Sequence, residues 1–113
     1  MRVVDVSLGA RSYPVKIAPG LIDDAAAIKA SIAGRHVLVV SNEVVAPLAL
    51  ARVQQALSDK SVATLVLPDG EVQKSLASAD RLFSALARMG ASRDATIVAL
   101  GGGVIGDLAG FAA

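Results

Sequence analysis

The sequence predicts an α/β fold, with a mostly parallel sheet and alternating helices preceded by a short β-hairpin. Three observations predict it. Continuous apolar runs recur at His36 to Ser41 (HVLVVS), Val62 to Pro68 (VATLVLP) and Ala95 to Gly101 (ATIVALG). Unbroken rather than alternating apolarity marks strands covered on both faces, as in parallel sheets. Stretches with apolar residues at helical spacing separate these runs. Finally, hydrophobic residues make up 54% of the 113 residues but aromatics only 3%, so the core must be built from Val, Leu, Ile and Ala.

The elements follow in order. Val4, Val6 and Leu8 alternate with Val3, Asp5 and Ser7, the pattern of a half-buried strand. The turn-like GARS leads to a second short strand, Tyr13 to Ile17, and the pair reads as a hairpin. Pro19-Gly20 breaks the chain. Leu21, Ala25, Ile28 and Ile32 then fall at helical spacing, with Gly34 as the terminator. After the first buried strand, Pro47 suits the first position of a helix whose apolar stripe is Val45, Ala49, Val53, Ala56 and Leu57. The next helix opens at Ser75, carries Leu76, Ala79, Leu82, Phe83 and Leu86 on its apolar face, and ends at Gly90. The result is a β–α–β–α–β–α order with right-handed crossovers expected. The last segment, Leu-Ala-Gly-Phe-Ala-Ala, is an apolar helix start with no polar face and no stop signal, which implies neighbours on all sides.

Composition narrows the function classes. The formal net charge is +1 and the Lys and Arg residues are scattered, so neither a basic stripe nor an aromatic platform argues for nucleic acid. The absence of cysteine excludes disulfides and thiolate metal sites within these residues. The N-terminus lacks the basic and apolar regions of a signal peptide. The longest uncharged apolar stretch, Ala95 to Gly106, falls short of the about 20 residues a spanning helix needs. A cytoplasmic protein with no membrane partner is expected.

In parallel α/β sheets, ligands bind beyond the carboxyl ends of the strands. Three loops fall there: SNEVVA, PDGEVQK and GGGVIGD. Gly101, Gly103 and Gly106 fit the G-x-G-x-x-G spacing between a strand and a helix. Glycines let backbone N–H groups approach a ligand, and a helix N-terminus adds unpaired donors and partial positive charge, a ready site for a pyrophosphate. The other role open to such a turn is close packing, with Gly106 and Gly110 bringing the helix onto the sheet. Asp107 is expected in the first helical turn, where it either complements the dipole or hydrogen-bonds ribose hydroxyls. Asp69 and Gly70 read as a turn. Glu71 and Lys74 are either a solvated pair or a ribose and phosphate pair. Asn42 is either a turn residue or a reader of adenine or ribose. His36, at a strand start on the opposite end, suits a surface or core role better than metal ligation.

Taken together, the stretches SNEVVAPL, LPDGEVQKSL and GGGVIGDLAGFAA resemble the 3-dehydroquinate synthase family, in order and spacing, over nearly the whole chain. The resemblance implies a Rossmann-like NAD-binding N-terminal domain over residues 1–113. By position it implies that Asn42 lies near the adenosine and that Asp69, Gly70, Glu71 and Lys74 form a nucleotide-contacting loop. It likewise implies that Gly101, Gly102, Gly103, Val104 and Gly106 form the pyrophosphate loop, and that Asp107 meets the nicotinamide-side ribose. The family reaction of the shikimate pathway, in aromatic amino acid biosynthesis, converts 3-deoxy-arabino-heptulosonate 7-phosphate, a phosphorylated sugar acid, into 3-dehydroquinate. It releases phosphate, and NAD is reduced and reoxidised without net consumption.

The resemblance also implies a divalent metal, zinc or cobalt, whose ligands lie outside these residues. No catalytic or metal-ligating residue is assigned within the chain. The domain is therefore expected to be incomplete, its metal and substrate domain absent and the chain alone inactive. Exposed apolar surface is expected to drive homo-oligomerisation or domain swapping. Two alternatives stay open: the NAD domain of a polyol or glycerol dehydrogenase, and a non-catalytic nucleotide-binding fragment.

Overall fold

The computed structural model describes residues 2–70, 74–90 and 95–112. The chain opens with β1 (Arg2–Val6) and β2 (Tyr13–Ile17), which pair antiparallel as a separate two-stranded sheet. The expected hairpin is present, but it is not half-buried. Register sets Val4 opposite Val15 and Val6 opposite Tyr13, so one face is apolar, yet both strands are largely solvent-exposed. Alternation predicts which side chains share a face, not whether another layer covers that face.

The segment read as one helix from Leu21 to Ile32 is divided. A 3-10 turn at Leu21–Asp23 precedes α1 (Ala25–Ala30). Asp24 separates them: its carboxylate accepts the Ala27 N–H, which starts a new helix there. Ser31 closes α1, ahead of Gly34, which does not have a positive φ.

The main sheet contains β3 (His36–Asn42), β4 (Ser61–Leu67) and β5 (Thr96–Leu100), all parallel, in the order β4-β3-β5. Helices α2 (Ala46–Ala56), α3 (Leu76–Arg88) and α4 (Gly103–Ala112) follow the strands in turn. The three strands thus lie where the apolar runs predicted them. Only the central β3 is buried almost throughout; β4 and β5 form the edges and are partly exposed. Three continuous apolar runs alone did not distinguish a centre from its edges.

Successive residues of β3 alternate between two cores. Leu38 and Val40 join Leu65 and Leu67 of β4 against Leu82 and Ala85 of α3 and Ile105 and Leu108 of α4. Val37 and Val39 face the other way and pack with Ile32, Val53 and Leu57. Helix α3 is capped by Ser75, whose hydroxyl accepts the Ser78 N–H, and it ends at Gly90 with φ +68°, as its sequence predicts. Two members of its predicted apolar stripe, Leu76 and Phe83, nevertheless remain exposed.

This topology determines where a ligand fits. Adjacent strands β3 and β5 send their following helices to opposite faces: α2 to the Val37/Val39 side and α4 to the Leu38/Val40 side. The loops that leave their carboxyl ends therefore diverge, which forms a crevice at the position where open α/β sheets bind ligands.

Candidate functional site

The crevice is bordered by the ends of all three parallel strands, held by hydrogen bonds. Ser41, fully buried in β3, donates through its hydroxyl to the Leu100 carbonyl of β5 at 2.7 Å. Beyond it, the Glu43 N–H donates to the Leu67 carbonyl at 2.9 Å. The Glu43 carboxylate accepts the Asp69 N–H at 3.2 Å, tying the loop after β3 to the turn after β4. Between them lies Asn42. Its side-chain oxygen accepts the N–H groups of Val44 and Val45 at 3.0 and 2.8 Å, and its amide nitrogen donates to Asp69 Oδ1 at 3.4 Å. Asp69 and Gly70, read from the sequence as a turn, form a bend, with Gly70 at φ +121°.

The glycines divide into two groups. Gly101 sits at φ +155°, and a Cβ there would lie 3.3 Å from Ile105 Cγ1 and 3.6 Å from Asn42 Nδ2, so this position serves the fold. At Gly102 and Gly103 an added Cβ meets nothing within 4 Å among the described residues. Internal packing does not require glycine at either. Helix α4 starts at Gly103, so its first N–H groups, including that of Val104, have no acceptor within the helix.

Two expectations are corrected here. Gly106 and Gly110 do not bring α4 close to the sheet, because a Cβ at either meets nothing within 4 Å among the described residues; Ile105, Leu108 and Ala109 form the packed side instead. Asp107 lies in the second turn, since the helix starts earlier than the loop reading placed it. It is therefore less well placed to complement the helix dipole, which acts within the first turn. Gly106 is likewise inside the helix, its N–H donating to the Gly102 carbonyl at 3.1 Å.

Asp107 instead meets Lys74, with Nζ 2.9 Å from Oδ2. The two side chains line a cleft of about 360 Å³ between the start of α3 and α4, together with Ser75, Leu76, Leu108 and Phe111. Both are about half exposed, so the pair contributes on the order of 0–1 kcal/mol. Its electrostatic effect is local: the ammonium offsets a carboxylate that would otherwise repel an anion near the glycine loop.

The structure thus brings Asn42, Asp69 and Gly101 together at the strand ends and joins Lys74 to Asp107. Glu71 lies outside the described residues. Sequence reasoning missed Ser41 and Glu43. Ser41 had a signal, a hydroxyl at the end of an otherwise apolar buried strand; Glu43 had none. His36 is at the opposite end of β3, roughly 20 Å from Asn42 by strand rise. No group of three His, Cys, Asp or Glu side chains suited to a metal occurs among the described residues.

The fold is shared with known structures. Two solved structures of 2-deoxy-scyllo-inosose synthase match 99% of the chain, with TM-scores of 0.83 and 0.85 at 22% and 21% identity. The chain covers 31% and 32% of them, and the first was solved with carbaglucose-6-phosphate, NAD+ and Co2+. Sequence makes the assignment narrower. The 3-dehydroquinate synthase N-terminal family model matches residues 64–113. Over its full length, the chain is 53% identical to the 3-dehydroquinate synthase of Methylococcus capsulatus and 49% identical to that of Pseudomonas putida. Throughout its length the chain is similar to the N-terminal part of 3-dehydroquinate synthases. The chain spans about a third of the length of these curated relatives (32% and 31%).

Proposed function

We propose that residues 1–113 form the NAD-binding part of a 3-dehydroquinate synthase. The observation that carries this reading is the pair Gly102 and Gly103. Both have open space where a side chain would stand, and both lie at the N-terminus of α4 beside the crevice between β3 and β5. Bare backbone that internal packing does not require suits a partner that approaches from outside, and unpaired N–H groups suit an anionic one. A dinucleotide's pyrophosphate fits both.

In this reading Gly101 sets the turn, while Gly102, Gly103 and Val104 present backbone to the pyrophosphate. Asp107 accepts a hydrogen bond from a ribose hydroxyl. Lys74, already beside that carboxylate, offsets its charge near the phosphates. Asp69, Gly70 and Gly106 border the same site, and Glu71 is assigned to it from the sequence resemblance alone. When bound, NAD supplies reversible hydride acceptance from a substrate hydroxyl. The chain's residues contribute binding and orientation; none of those described offers a general base for the substrate.

A divalent metal does not fit these residues, which offer one histidine, at the far end of the sheet, and no cysteine. The proposal for the whole protein is a cytoplasmic lyase that converts 3-deoxy-arabino-heptulosonate 7-phosphate to 3-dehydroquinate and inorganic phosphate. Metal and substrate groups lie outside these 113 residues, which alone are inactive.

The test supplies that sugar phosphate and NAD+ to the protein carrying this chain, and follows phosphate release and absorbance of NADH. Phosphate released without net NADH is expected. NADH accumulating with a polyol, and no phosphate released, would establish the dehydrogenase alternative instead.

A further inference from the structure

We propose that Ser41 is a positioning residue: its hydroxyl holds the last carbonyl of β5, and with it the start of the glycine loop, without touching the nucleotide. This role rests on the reading of that loop as the nucleotide site.

Ser41 follows the fully buried apolar residues Val37, Leu38, Val39 and Val40, and is itself fully buried. A hydroxyl at such a position destabilises the fold unless it is hydrogen-bonded. It has a single proton to donate. That proton goes to the Leu100 carbonyl at 2.7 Å, so the hydroxyl has neither a donor nor an open surface to offer a ligand. The β3–β5 register ends at this same pair, Ser41 beside Leu100, whereas β3 continues along β4 until Asn42 lies beside Leu67. On the β4 side the Glu43 N–H adds a backbone bond to the Leu67 carbonyl. On the β5 side the tie comes from a side chain. The Leu100 carbonyl shares a planar peptide group with the Gly101 nitrogen. Gly101 then turns at φ +155°, and α4 begins at Gly103. Holding that oxygen therefore sets the plane from which Gly101, Gly102 and Gly103 depart.

Without the tie the loop leaves its binding arrangement more often, and affinity falls with the fraction of molecules that keep it. The test is calorimetric titration of NAD+ into the protein carrying this chain, with a pair of variants of one shape. Ser41→Thr keeps the hydroxyl; Ser41→Val puts a methyl in its place. Ser41→Val is expected to bind NAD+ about three- to tenfold more weakly than Ser41→Thr, the scale of one hydrogen bond. The control is Val37→Ala, in the core roughly 13 Å from Ser41 by strand rise. It is expected to lower the urea midpoint but to leave NAD+ affinity within about twofold of the unmodified protein. If either Ser41 variant fails to fold, Ser41→Ala replaces the pair and is read against the unmodified protein, with the same loss expected.

Equal affinities of Ser41→Val and Ser41→Thr would overturn the proposal, because the hydroxyl would then make no difference to the loop. Undiminished binding by Ser41→Ala would overturn it as well. So would a loss in Val37→Ala as large as that in Ser41→Val, since binding would then follow the stability of the whole sheet. No binding by the unmodified protein would remove the nucleotide reading and this inference together, an outcome distinct from binding that is indifferent to the hydroxyl.

Discussion

Gly101 and Gly102 are neighbours with opposite needs. Gly101 sits at φ +155° against Ile105, so Gly101→Ala should cost about 1–3 kcal/mol, measured as a lower urea midpoint. Gly102→Ala meets open space and should change stability by no more than about 0.5 kcal/mol. Equal losses from the two would contradict the division of the loop into a folding glycine and a binding glycine. The motif itself was legible in the sequence, but the role of each member was not. Spacing does not reveal that α4 begins at Gly103, and that start places Gly106 and Asp107 inside the helix. The contacts of Asn42 were illegible for another reason. Asp69 and Gly101 become its neighbours only when three strands separated in sequence lie side by side.

At the scale of the element, α3 shows how far periodicity reaches. Its stripe correctly selected Ala79 and Leu82, both buried, and equally selected Leu76, which is 80% exposed as the first helical residue. Leu82→Ala should therefore cost about 2–5 kcal/mol, while Leu76→Ala should stay within about 0.5 kcal/mol, both by urea unfolding. A Leu76→Ala loss as large as that of Leu82→Ala would mean that the start of α3 is packed. The parallel strands were the most legible elements because their apolar runs are long and bounded by turn residues. The first helix was the least legible, because one capping carboxylate, Asp24, outweighs a weak apolar repeat.

For the whole molecule, the two separate sheets matter most. The hairpin shows solvent an apolar face that includes Val4, Tyr13, Val15 and Ile17, and two strands alone are marginally stable in water. Exposed patches of this kind favour association. The chain is expected to bind an apolar fluorescent dye and to scatter light as more than a monomer. Val15→Thr combined with Ile17→Thr should reduce both signals. A monomer that binds no dye would contradict the expectation.

The nucleotide role of the crevice is tested most directly by calorimetric titration of NAD+ into the chain and into Gly102→Val. Valine adds bulk where the fold leaves space, so it should spare folding and block the approach of a pyrophosphate. Saturable binding to the native chain, lost in Gly102→Val with an unchanged unfolding curve, is the predicted result. Binding undiminished by Gly102→Val would put the nucleotide elsewhere and contradict the assignment of the glycine loop.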